Sequence, residues 1–224
     1  MFGYLTYDLK NSIECLQSKN LDFQSFPNMH FFIPSIVIKV NKNNVDISYD
    51  AMYSSDEIDS VFFSIKAIKV KNRKIIPVKI QSRVSKEEYV SNILKIKNHL
   101  QSGDIYEMNY CQEFYAQKIN IDPFDLFVRL NDIAKAPFAS FYRCKNHFCL
   151  CASPERYLKK EGSRIFSQPI KGTIKRIEDS LLDKINQDKL LNSAKDFSEN
   201  VMIVDLVRND LSRIAKKSTE KEDE

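Results

Sequence analysis

The chain has 224 residues, 43% of them apolar and 29% charged. That is enough for a sizeable core in one large or two small domains. Its formal charge is 34 − 30 = +4, with basic residues spread along the chain, so no nucleic-acid partner is indicated.

No run reaches the ~18 apolar residues of a membrane span, and the N-terminus lacks the basic-then-apolar pattern of an export signal, so no membrane partner is expected. Five cysteines without C-x-x-C pairing suggest no disulfide framework, and a reducing cytoplasm is the expected setting.

In chain order, Phe31 to Tyr49 is rich in β-branched and aromatic residues. Ile36–Val40, a polar Asn41-Lys42-Asn43-Asn44 turn and Val45–Tyr49 predict a hairpin. Residues 85–102 change period: Ser85 as cap, Glu88 three later, then Val90, Ile93, Leu94, Lys97 and Leu100 at helical spacing, closed by Gly103. Asp104 to Ala116 alternates and predicts a strand. Asp122-Pro123 opens a further helix with proline at its first position. Strands follow near 138–144 and 147–152, with strand and turn over 164–175 and helix over 180–215 broken near Asn192. The last nine residues contain nothing apolar and predict a frayed or disordered tail.

The fold class expected is α+β, mostly antiparallel sheet with helices packed outside. Its divisions are a strand-rich part at 1–84, a second part at 85–215 and a polar tail at 216–224. Only four glycines occur, which leaves no Gly-rich phosphate loop.

Four acidic or basic positions carry candidate chemistry. Glu155 follows Ser153-Pro154 at the end of an apolar run; a carboxyl so placed can have a raised pKa and act as a general acid, or can simply pair with Arg156. Lys171 lies in a turn between Pro169 and Gly172. As a solvated charge it would be inert, because an ordinary lysine pKa of about 10.4 leaves only ~0.04% neutral at pH 7. Burial or a neighbouring cation can lower such a pKa by ~3 units and make the amine a nucleophile.

Asp196 and Glu199 are three apart and share a helix face. Ile203, Leu206 and Val207 lie on Glu199's side of that helix, while Val201, Val204 and Leu211 cover the other. A helix apolar nearly all round is expected to be buried. Its two carboxylates then either cap the helix and pair with lysine or hold Mg²⁺, which uses one or two carboxylates and keeps several waters. His30, His99 and His147 have no metal-ligand spacing, and no cysteine sits in a nucleophile-elbow setting.

Together these strings resemble the chorismate-utilising enzyme family. Gly103-Asp104-Ile105-Tyr106-Glu107-Met108-Asn109 is similar to its G-D-[IV]-[YF]-Q-[VA]-N segment. Ser153-Pro154-Glu155-Arg156, then Pro169-Ile170-Lys171-Gly172-Thr173, then Glu199-Asn200 through Arg208-Asn209-Asp210-Leu211 follow in the family's order. The opening Gly3-Tyr4-Leu5-Thr6-Tyr7-Asp8 is also similar, less specifically. The resemblance covers roughly residues 85–215.

Lysine at position 171 resembles the branch that makes 4-amino-4-deoxychorismate; the anthranilate, isochorismate and salicylate branches usually carry alanine there. The resemblance implies chorismate and ammonia as substrates, on the way to p-aminobenzoate and folate. It implies Lys171 as the nucleophile, Glu155 as the acid and Glu199 with Asp196 as Mg²⁺ ligands. Gly172 and Thr173 would lie against substrate, and ammonia would come from a separate glutamine amidotransferase subunit.

Family members continue past the R-N-D-L element with a histidine segment, a G-G-S-x-T-G-x-P-K segment and a second acidic cluster. None of these blocks stands here, so truncation, unpaired strand edges and exposed apolar surface are expected. Two alternatives stay open: an anthranilate-forming enzyme, and a catalytically silent fragment that binds a partner.

Overall fold

The computed structural model describes residues 1–69, 77–217 and 219–221; part of the expected polar tail lies outside these. Two compact units divide the chain, Met1–Ile121 with Arg143–His147, and Asp122–Tyr142 with the chain from Phe148 onward.

In the first unit β1 (Phe2–Leu5) pairs antiparallel with β2 (Met29–Phe32), and a short α1 (Lys10–Ile13) lies between them. The predicted hairpin forms as β3 (Ile36–Asn41) and β4 (Asn44–Tyr49), in register from Ile36↔Tyr49 to Asn41↔Asn44. The next element, α2 (Ser55–Ala67), has no counterpart in the sequence reading. Its signal was present: Ser54 Oγ accepts the Glu57 N–H at 3.3 Å while Glu57 Oε2 accepts the Ser54 N–H at 2.8 Å, a reciprocal capping box. Ile58 of this helix, 5% exposed, is the one buried apolar residue among those described.

A short β5 (Gln81–Ser82) precedes α3 (Lys86–Ser102), which begins and ends as expected. Ser85 Oγ accepts the Glu88 N–H at 3.1 Å, and Gly103 closes the helix in the left-handed region at φ 77°. The strand expected over 104–116 shrinks to β6 (Phe114–Tyr115), because only those two residues find a partner, in β5. Around this short pairing the Arg83 guanidinium meets Glu113 at 2.8 Å and lies 3.9 Å and 3.7 Å from the ring centroids of Phe23 and Tyr115.

In the second unit α4 (Pro123–Ala134) starts at Asp122, whose carboxylate accepts the Phe124 N–H at 2.9 Å. The rings of Phe124, Phe127 and Phe148 surround Phe141 at centroid distances of 5.8, 5.5 and 6.0 Å. The hairpin of β7 (Phe138–Cys144) and β8 (His147–Ser153) follows, then β9 (Arg156–Glu161) and β10 (Arg164–Gln168), antiparallel with an irregularity between Phe166 and Gln168. Two helices complete the unit, α5 (Ser180–Leu191) and α6 (Ala194–Ser212), with the predicted break between them.

The class is therefore α+β, as expected. The strands associate as five two-stranded sheets among the described residues. Apolar surface stays open: in the second unit Leu191 is 79% exposed and Phe197 68%. The expectation that α6 is buried is corrected here, since none of its residues is buried. Asp205, Arg208, Asn209 and Asp210 interrupt its apolar residues and are exposed.

Candidate active site

The candidate residues lie within the second unit, and local hydrogen bonds set their positions. At the end of β8 the Ser153 hydroxyl donates to the Glu155 carbonyl at 3.0 Å and accepts the Glu155 N–H at 3.2 Å, turning the chain before β9. The carboxylate of Glu155 then accepts the Ile170 N–H at 3.1 Å. Arg156 takes a different partner: its guanidinium donates to Gln168 Oε1 at 3.0 Å and lies 4.7 Å from the Phe138 ring centroid. Glu155 is thus tied to the residue before Lys171.

The other side of the turn is set by α6. Ser193 is its cap, its hydroxyl accepting the Asp196 N–H at 3.3 Å. Asp196 itself is therefore not the cap; its side chain packs on Gly172 instead. A Cβ at Gly172 would stand 2.8 Å from Asp196 Cβ and Cγ and 2.9 Å from Oδ1, and the residue has φ 77°. Glycine alone tolerates both the contact and the left-handed backbone.

Lys171 and Asp196 face a cleft of about 330 Å³, with Ile170, Leu191, Phe197 and Asn200 among its walls. An amine and a carboxylate thus stand among apolar side chains, and Lys171, Gly172 and Asp196 are half-buried. The structure brings Glu155, Lys171, Gly172 and Asp196 to one turn. Glu199 lies one helical turn beyond Asp196, half-buried, with Lys195 3.6 Å from its carboxylate. Thr173 is exposed, and neither it nor Glu199 contributes to the cleft wall.

Asn200 lies in the cleft wall although the sequence singles it out only within a motif; its place four residues after Asp196 puts both on one helix face.

Among the described residues no three His, Cys, Asp or Glu side chains converge as a metal site. The two carboxylates of Asp196 and Glu199, one turn apart, are the hard-oxygen donor set that suits Mg²⁺, an ion that completes its shell with water and substrate. Cysteine chemistry gains no support: burial, then the neighbouring Cys151, pushes the Cys149 thiol up and away from thiolate. No helix among the described residues is long and apolar enough to cross a membrane.

This fold, with a lysine turn held between two acidic residues, is that of a chorismate-binding enzyme. The whole chain, residues 1–224, matches the family described as chorismate binding enzyme, and it belongs to that family.

Aminodeoxychorismate synthase component 1 of Escherichia coli is 42% identical over 135 residues, 60% of this chain and 30% of the relative. Anthranilate synthase component 1 of Acetivibrio thermocellus is 27% identical over 240 residues, 97% of this chain and 48% of the relative. Anthranilate synthase component I from Streptococcus pneumoniae TIGR4 shares the fold, with a TM-score of 0.76 at 23% identity over 94% of this chain and 49% of that one. The stretches matched amount to half or less of each of these relatives.

Proposed function

We propose that this chain carries the lysine-bearing part of an aminodeoxychorismate synthase component I, which converts chorismate and ammonia to 4-amino-4-deoxychorismate and water. One observation carries the reading: Lys171 stands in a turn bracketed by the Glu155 carboxylate on the Ile170 N–H and by Asp196 against Gly172. The 42% identity to the Escherichia coli component supports it.

In the proposed reaction the neutral amine of Lys171 forms a bond to ring carbon C2. The ring double bonds shift toward C4, and the C4–O bond breaks as Glu155 gives its proton to the departing hydroxyl, releasing water. Ammonia then bonds at C4, the double bonds shift back, and the C2–N bond breaks to free the lysine. Loss of one proton from the added ammonia balances the proton that Glu155 gave. Ile170 and Leu191 stand with the amine in the walls of the cleft. Asp196 and Glu199 would hold Mg²⁺, which when bound supplies positive charge for a substrate carboxylate.

Ammonia would reach the site from a glutamine amidotransferase subunit, and the cytoplasm is the compartment that goes with five cysteines outside any disulfide framework. The anthranilate reading has its own support, a 27% identity that runs over 97% of the chain. The two separate on product: anthranilate fluoresces directly, whereas aminodeoxychorismate gives p-aminobenzoate only after a lyase is added. With chorismate, ammonium and Mg²⁺ on a full-length form, lyase-dependent p-aminobenzoate is expected, and Lys171→Ala is expected to abolish it. Direct anthranilate formation would move the assignment to the second reading.

A further inference from the structure

Lys171 stands near one end of a stretch, residues 169–179, that belongs to neither helix nor strand. Beside it is Gly172, the residue type with the freest backbone. Such a loop places an amine only if other elements hold it. Upstream, the Glu155 carboxylate accepts the Ile170 N–H at 3.1 Å.

The downstream hold comes from α5. Asp183 accepts the Ile177 N–H at 3.0 Å and a two-pronged contact from the Arg176 guanidinium, Nε at 2.9 Å and Nη2 at 2.8 Å. One turn further on, the Asn186 side-chain amide donates to the Lys175 carbonyl at 2.9 Å. Asp183, Asn186 and Leu190, spaced three and four apart on one face, are the half-buried residues of α5, whereas its Leu181, Leu182, Ile185 and Leu191 are exposed. The inward face of this helix is therefore mostly polar, and its polar groups go to the lysine loop.

Leu190 of that face and the adjoining Leu191 line the Lys171 cleft, so one helix both walls the cleft and holds the loop. The Arg176 side chain is 88% exposed, and an ion pair so open to solvent adds little to stability. What Asp183 and Asn186 fix is backbone, at Ile177 and Lys175. Residues 171–174 then run between held points on either side.

We propose that Asp183 and Asn186 are positioning residues for Lys171: from one face of α5 they hold the downstream arm of its loop and so keep the amine in place at the cleft. They act through Lys171 and take no part in the bond changes. This rests on the lysine chemistry proposed above.

A displacement of about 1 Å at a reacting group can cost on the order of 10²-fold in rate. In a full-length form supplied with chorismate, ammonium and Mg²⁺, Asp183→Ala and Asn186→Ala should each lower kcat at least about tenfold while KM for chorismate changes less than about twofold. Asp183→Glu, which retains the carboxylate, should recover most of the loss. In the 224-residue chain, competitive acetylation mapped by mass spectrometry should find Lys171 more reactive, relative to Lys160, in both alanine variants than in the parent, with circular dichroism unaltered. Lys171→Ala, assayed beside them, separates the two readings. If it loses turnover while both α5 variants keep the parent's kcat and labelling, the positioning role alone is overturned. A kcat loss that comes with loss of circular dichroism, or that Asp183→Glu does not recover, overturns it as well. Unchanged turnover in Lys171→Ala would remove the lysine chemistry and this proposal with it.

Discussion

Gly172 links the backbone of the lysine turn to the start of α6, and the link has a measurable consequence. Alanine there would take up a left-handed φ at a cost of about 1–2 kcal/mol. Its Cβ would also meet Asp196 at 2.8 Å, at atoms near the helix backbone that move little. Gly172→Ala should therefore lower the stability of the second unit by about that amount or more in denaturant titration, and should reduce turnover by moving Lys171.

Glu155→Gln keeps the shape and the Ile170 contact but removes the transferable proton. A loss of about 10²–10⁴ in kcat is expected, the range for a general acid, with little change in KM. At this scale Lys171, Glu155 and Asp196 were legible because each belongs to a short sequence block. The contacts that join them were not: Glu155 bonds to an N–H fifteen residues away, and no local pattern encodes such a meeting.

Among the elements, helix ends carry the clearest consequences. Ser54→Ala removes one half of the α2 capping box and should cost about 1 kcal/mol, seen as faster amide exchange in the first turn of α2. The Glu57 carboxylate, held below the usual glutamate range by the Ser54 N–H and hydroxyl, would return toward that range in the variant.

A second acid sets a pH limit on the segment before α5. Asp183 accepts from Arg176 at 2.9 Å and from the Ile177 N–H at 3.0 Å, and these two, Arg176 first, hold its pKa below the ordinary aspartate range. A depressed folded pKa gives stability that is present above the ordinary value and lost as pH falls through the folded one. Amide protection around 176–186 should thus decline as pH falls below the ordinary aspartate range, and Asp183→Asn should already lack this acid-sensitive protection near neutrality.

Elements with strong local signals were readable: α3 from Ser85, Glu88 and Gly103, α4 from Asp122-Pro123, and the β3–β4 hairpin from its polar turn. The failures have two causes. The Ser54-x-x-Glu57 signature of α2 lacked the company of a long apolar repeat, and the alternation over 104–116 could form a strand only where a partner strand was available, which is two residues long.

For the whole molecule, the sequence pattern and the structure disagree most over burial, and the disagreement is informative. A composition 43% apolar predicts a substantial core, while one buried apolar residue, Ile58, stands among those described. Local pattern specifies which faces are apolar; it cannot specify what covers them. The proposed activity nevertheless turns on the nucleophilic role of Lys171.

It is tested most directly by incubating chorismate and Mg²⁺, without ammonia, with a preparation that turns over when ammonium is present, and mapping covalent adducts by mass spectrometry. Lys171 is expected to be heavier by chorismate less one water, with the adduct released on adding ammonium, and Lys171→Ala is expected to show neither adduct nor turnover. Unchanged turnover in Lys171→Ala would contradict it.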